Sequence, residues 1–267
     1  MTKRRLSKFA SANEDAAKVQ RVPETEQTKA PAYRLAFEDL DFLRREEMRA
    51  VRFQLELLKP ELMMAEAGIE STVVLFGGAR IPDPVDKANA RTQTLADLSR
   101  FYDEARTFAA LSGRESLATE GKDYVVVTGG GPGVMEAGNR GAQDVGAKSI
   151  GLNIVLPHEQ APNEYVTPEL CFNFHYFALR KMHFLMRARA VAAFPGGFGT
   201  LDELFETLTL IQTERMQRVP VLLFGEEFWR SIVNWEALAD AGTISPEDLD
   251  LFHFVETADQ AWELIKT

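Results

Sequence analysis

The chain has 267 residues, 45% of them hydrophobic, enough to bury a full core as one large domain or one domain with appendages. A net charge of -10 and an isoelectric point near 5.1 argue against binding a nucleic acid polymer, which needs clustered Lys and Arg; a single mononucleotide, held by a few backbone N–H groups, stays open. Cys171 is the only cysteine, so no intramolecular disulfide forms, as expected of a reducing cytoplasm, and no run reaches the ~20 apolar residues of a membrane span.

Residues 1–32 are polar and without period, and read as a disordered tail. Its start, MTKRRLSKFA, is basic but has no apolar stretch behind it, unlike a secretory signal. Residues 33–68 form a helical extension, with Leu40, Leu43, Val51, Leu55, Leu58 and Leu62 at three- and four-residue steps. Pro60 is expected to kink or split this helix.

From residue 69 onward the pattern changes. STVVLFGG (71–78), YVVVTGGGPG (124–133), SIGLNIVLP (149–157), AVAAFPGGFG (190–199) and VPVLLFG (219–225) are short apolar, strand-like runs, and FHFVET (252–257) adds a sixth. They are apolar throughout, as parallel strands buried on both faces require. Helical segments lie between them at 92–112, 134–145, 175–189 and 201–215, with another at 260–266. Strand, glycine turn and helix in repetition predict an α/β, Rossmann-like, doubly wound parallel sheet over 69–267 with an added N-terminal helix. Ligands of such sheets bind at the carboxyl ends of the strands, where the three glycine clusters fall.

The glycines fit neither common nucleotide motif. From Gly129 the sixth position is Val134, and from Gly131 it is Glu136, so no G-x-G-x-x-G fingerprint forms. No Gly-Lys-Ser/Thr P-loop and no G-x-S-x-G elbow occurs. The four histidines make no H-x-x-x-H pair, and no metal site is expected. What remains is GGGPG and PGGFGT, two strand-to-helix turns aiming helix N-termini at one cleft. Their N–H groups and helix dipoles make an anion site, and glycine lets a phosphate approach the backbone.

Thr200-Leu-Asp-Glu203 follows at once and reads as a capping box, with Thr200 as N-cap and Glu203 at the third helical position. The competing reading gives Glu203 work in the cleft, since a carboxylate beside a bound phosphate is otherwise repelled. Asp202 and Glu203 diverge by about 100° around the helix, so one can face solvent and the other the ligand. Glu206 is a supporting or solvated residue.

GGGPGVMEAGNRGA (129–142) and RKMHFLMRARAVAAFPGGFGTLDELFE (180–206) resemble the LONELY GUY family of cytokinin riboside 5'-monophosphate phosphoribohydrolases, often labelled possible lysine decarboxylases. That family's pattern sets an Arg-Lys pair fifteen residues before P-G-G-x-G-T-x-x-E, the spacing of Arg180 and Pro195 here. The resemblance implies a cytoplasmic Rossmann-like homodimer or higher oligomer. It implies that the protein cleaves a nucleoside 5'-monophosphate to free base and ribose 5-phosphate, without a cofactor. By it, Gly196, Gly197, Gly199 and Thr200 would hold the 5'-phosphate, and Gly130, Gly131 and Gly133 would line the same cleft. Lys181 and Glu136 would join the substrate-binding set. Glu203 would face the ribose and Arg180 would assist, as catalytic residues. Plant-type members carry Met-His shortly before the Arg-Lys pair, where this chain has Phe177-Ala178, and FGGAR replaces a Cys-Gly-Ser-Ser type first loop. AMP and an N6-modified cytokinin nucleotide are therefore both open as substrates. The alternative is a non-enzymatic carrier of a phosphorylated cofactor such as molybdenum cofactor, which needs the phosphate turns but no carboxylate beside a ribose.

Overall fold

The computed structural model describes residues 9–157 and 161–266. These fall into two compact units divided between Leu55 and Glu56. Among the described residues, no helix is long and apolar enough to cross a membrane.

The first unit carries short helices α1 (Ala12–Val19), α2 (Glu26–Lys29) and α3 (Leu40–Leu43), none of which buries a side chain. Local caps hold them. The Ser11 hydroxyl accepts from Glu14 N–H, and the Glu14 carboxylate accepts from Ser11 N–H in return. These helices lie in and just beyond the stretch read as a tail without period; residues 1–8 of that tail are outside the described residues.

Helix α4 (Arg49–Glu66) runs through Pro60 without the expected split. Proline lacks the N–H that would bond the Glu56 carbonyl one turn back. His183 Nε2 approaches that carbonyl at 3.2 Å instead. A carbonyl only accepts, so Nε2 carries the proton, and the helix continues with its backbone acceptor satisfied.

The second unit is built on a sheet of seven strands: β1 (Thr72–Phe76), β2 (Val125–Thr128), β3 (Ser149–Ile154), β4 (Cys171–Phe174), β5 (Ala188–Ala193), β6 (Val221–Phe224) and β7 (His253–Val255). The order is β4-β3-β2-β1-β5-β6-β7 and every pairing is parallel. This is the doubly wound α/β sheet that the apolar runs predict. The chain lays β2 to β4 outward on one side of β1, then returns to place β5 on the other. The switch point lies between β1 and β5.

The linking helices are α5 (Gln93–Asp97), α6 (Arg100–Ala118), α7 (Val134–Asp144), α8 (Phe177–Leu185), α9 (Phe198–Gln212), α10 (Glu226–Ile232), α11 (Trp235–Asp240) and α12 (Ala258–Lys266). Alternate strand residues feed two cores. Val73, Leu75 and Val126 pack with Phe101 and Phe108 of α6, Val134 of α7 and Trp262 of α12. Val74, Phe76 and Val191 pack with Met64 of α4, Phe184 of α8, Leu204 of α9 and Trp229 of α10. Each such side chain contributes about 1.5–3 kcal/mol on burial. Both faces of the sheet are covered, which is why its strands read as unbroken apolar runs.

Candidate active site

The carboxyl ends of β1 and β5 open into a cleft of about 880 Å³. Its walls include Gly77 to Ile81 after β1, Gly129 after β2, Arg180 of α8, and Pro195 to Glu203 after β5. The first turn ties the other two together. Gly78 N–H donates to Pro195 O (2.9 Å), and Gly78 O accepts from Val134 N–H at the start of α7 (3.3 Å).

Helix α9 begins at Phe198, with Gly197 as N-cap and no side-chain cap bond. This corrects the capping box read from the sequence. Thr200 lies inside the first turn, and its hydroxyl covers the Cα of Gly196, in the space a Cβ would need. Glu203 sits one turn further in, so it cannot reach back to an N-cap. The leading N–H groups of α9, those of Phe198, Gly199 and Thr200, carry the positive end of the helix dipole.

Glu203 is 7% exposed. Its Oε2 is buried and makes no hydrogen bond among the described residues. Burial pushes its carboxyl up to about 7, against the pull of Lys181 and Arg180. Arg180 stands across from it. Its Nε donates to the Leu152 carbonyl within β3 (2.7 Å), and its guanidinium lies 5.2 Å from the Phe184 ring centre. Nη2 fills the space beside Gly129, 2.7 Å from where a Cβ would stand. Burial pulls the guanidinium below the ordinary arginine value, and the Glu203 charge opposes that.

The remaining predicted residues fall elsewhere. Lys181 forms ion pairs with Asp202 at 2.9 Å and Glu206 at 3.0 Å and is not itself among the residues lining the cleft. Glu136 accepts from the Tyr102 hydroxyl at 2.7 Å, also outside the cleft lining. Gly130 and Gly133 take left-handed φ of +74° and +70°. Gly130 O and Gly131 O accept from Asn163 N–H (2.8 Å) and Nδ2 (3.0 Å). That bonding shapes the second turn, while Gly129 is the glycine of that turn that lines the cleft. So the structure brings together Arg180, Gly196, Gly197, Gly199, Thr200 and Glu203. Sequence reasoning missed Gly129, Arg80 and Phe198 as lining residues. FGGAR at a strand end signalled Arg80, and Gly129 and Phe198 lie within the GGGPG and PGGFGT turns already singled out.

Residues 135–265 match the family model described as possible lysine decarboxylase. That stretch is just under half of the chain, and over it the chain resembles this family. Two curated relatives in Arabidopsis thaliana are the cytokinin riboside 5'-monophosphate phosphoribohydrolases LOG1, 30% identical over 146 residues, and LOG3, 27% identical over 145. Each match takes in 53% of this chain and 65% of the relative, under two thirds of the relative's length. Among solved structures, the structural-genomics target TM1055 is 21% identical, covering 73% of this chain and 98% of that one with a TM-score of 0.49. The Moco carrier protein from Chlamydomonas reinhardtii is 19% identical, covering 74% and 96%, with a TM-score of 0.44. The possible lysine decarboxylase family takes its label from a reaction that would need a lysine beside its substrate. Among the described residues, no lysine lines this cleft.

Proposed function

We propose that this protein hydrolyses the N-glycosidic bond of a nucleoside 5'-monophosphate, releasing a free base and ribose 5-phosphate. The observation that carries this reading is the Glu203 carboxylate, buried with an unpaired oxygen in the same cleft as the N-terminus of α9. A buried, unpaired acid costs stability, and the cost makes sense when a reacting group faces it. The phosphate sits on the N–H groups of Phe198 to Thr200, with Gly197 and Gly199 leaving it room and Gly196 making way for the Thr200 hydroxyl. The ribose then extends toward Glu203. As the bond from C1' to the base nitrogen breaks, its electron pair leaves with the base and positive charge develops on the sugar. Ionised Glu203 stabilises that charge and takes a proton from the water that attacks C1'. Arg180 supplies a fixed positive charge for the phosphate or the departing base. The two curated relatives bear the names of nucleotide phosphoribohydrolases, in support of this reading.

The test is a panel of nucleoside 5'-monophosphates, AMP and an N6-modified adenine nucleotide among them, with release of base and ribose 5-phosphate followed together. Nucleosides without phosphate serve as the control and are expected to be inert. Nucleotide binding with no base released from any member would overturn the hydrolase and favour a carrier of a phosphorylated cofactor.

We also propose that the protein works in the cytoplasm as a homodimer or larger homo-oligomer. Helix α9 turns Thr200, Glu203 and Thr207 inward and carries a stripe of Phe198, Leu201, Phe205 and Leu208 at three- and four-residue steps, of which Leu201 and Leu208 pack in part on the core and Phe205 stacks on Trp235, leaving Phe198 and the exposed edges of the others open. Phe198 is 92% exposed. A second copy of the chain covers this stripe, and light scattering that finds a monomer at micromolar concentration would refute it.

A further inference from the structure

Helix α8, which carries Arg180, has no side-chain cap of its own; its N-cap is Tyr176. The cap comes from α4. Glu56 Oε1 accepts from His175 N–H at 2.8 Å and Oε2 from Tyr176 N–H at 3.1 Å. Both oxygens of one carboxylate thus take consecutive backbone donors at the positive end of α8, a charge-assisted pair. The same residue reaches the far end of the helix. Its backbone carbonyl, left without a donor by Pro60, faces His183 Nε2 at 3.2 Å. Beyond the helix, Glu61 forms a two-point ion pair with Arg187. Arg180 lies between these anchors. Its N–H bonds the Tyr176 carbonyl at 3.2 Å, one residue bonded by Glu56, and its side chain bonds Leu152 O.

We infer that Glu56 is a positioning residue that seats α8 by both ends and so fixes the Arg180 guanidinium opposite Glu203. Glu56 itself does not line the cleft. It acts through Arg180, whose three surroundings, the Leu152 carbonyl, Gly129 and Glu203, belong to other elements. A slide or rotation of α8 changes all three distances at once. The kinetic consequence rests on the hydrolase reading above; the seating itself does not.

The test uses full-length Glu56→Ala and Glu56→Gln. Amide exchange over residues 175–183 and base release from AMP across pH are measured in parallel. Glu56→Ala is expected to exchange faster over 175–183 while the sheet keeps its protection. Its kcat falls on the order of 10- to 100-fold, the cost of a misplaced group, with KM within about threefold. Glu56→Gln keeps one acceptor oxygen and falls between Glu56→Ala and the unaltered protein. The pH of half-maximal kcat moves upward in Glu56→Ala, because Lys181 and Arg180, both carried by α8, no longer steady the Glu203 charge; Asp202 and Glu206, the other charges acting on Glu203, sit on α9 and are untouched. General loss of stability would not move that midpoint. Wild-type kcat and pH midpoint in Glu56→Ala would overturn the inference, as would exchange that rises equally everywhere. If the unaltered protein releases no base, the hydrolase reading falls and exchange alone decides. Faster local exchange then supports the seating, and unchanged exchange over 175–183 refutes it.

Discussion

The Asp202 carboxylate is 60% exposed and lies 2.9 Å from Lys181 Nζ, whereas Glu203, the next residue, is 7% exposed and keeps an oxygen without a hydrogen-bond partner. Two adjacent acids on one helix therefore have different environments, set by the helix phase. Both line the cleft, but Asp202 belongs to a partly solvated ion-pair cluster with Lys181 and Glu206, whereas Glu203 is buried with one oxygen unbonded.

Replacing Glu203 by Gln should lower base release by at least about 100-fold, the scale of a lost acid–base group. It should also stabilise the protein at high pH. The folded-state pKa is raised from 4.5 to about 7, so the folded protein favours the protonated acid. The contribution of this residue to stability is fully present below pH 4.5 and is lost as pH rises through about 7. Glutamine escapes that loss, up to about 3 kcal/mol by linkage. Thermal unfolding at pH 5 and pH 8 checks it. The melting advantage of Glu203→Gln must grow between the two, and a constant or shrinking difference would contradict the burial argument.

Base release by the unaltered protein should rise with pH through about 7, as Glu203 ionises. A kcat profile flat between pH 5.5 and 8.5, measured with substrate saturating, would mean that the ionised form of Glu203 is not the one that acts.

Arg180 and Lys181 should separate cleanly. Arg180→Lys loses the planar fork that spans the Leu152 carbonyl and the cleft, and base release should drop on the order of 100-fold. Lys181→Ala breaks partly exposed ion pairs with Asp202 and Glu206, so stability should shift by about 1 kcal/mol or less. Its base release should stay within about fivefold. Equal kinetic losses in the two variants would place Lys181 in the binding site after all.

Gly129→Ala puts a Cβ 2.7 Å from Arg180 Nη2, the far end of a flexible side chain. The guanidinium should move rather than the backbone. Activity should fall about tenfold or more while the melting temperature shifts by only a few degrees. A large drop in melting temperature would show instead that the turn itself cannot accept a side chain.

Several features were legible along the chain because their causes are local. Apolar runs such as TVVLF and VLLF must be buried on both faces, and glycines at their ends mark turns into helices. The β4 strand, Cys171–Phe174, escaped notice because it is a four-residue edge strand with Asn173 exposed, too short and too mixed for the pattern. Helices α10 and α11 escaped because each is barely two turns long and their packing rests mainly on Trp229 and Trp235.

The sequence alone determined the layered parallel sheet, the placing of glycine turns at strand ends, and the pairing of Arg180 with the Pro195–Glu203 stretch at a fixed spacing. These follow from hydrophobic period, glycine's backbone freedom and motif order. The tertiary structure alone decided where α9 begins, and with it that Glu203 is buried while Asp202 stays solvated and pairs with Lys181. It also decided that Gly129, rather than Gly130, Gly131 or Gly133, meets the Arg180 guanidinium, and that the Leu152 carbonyl and a carboxylate on α4 hold that arginine's helix. Helix phase, burial and partners more than a hundred residues away in the chain are set by packing, which no local pattern encodes.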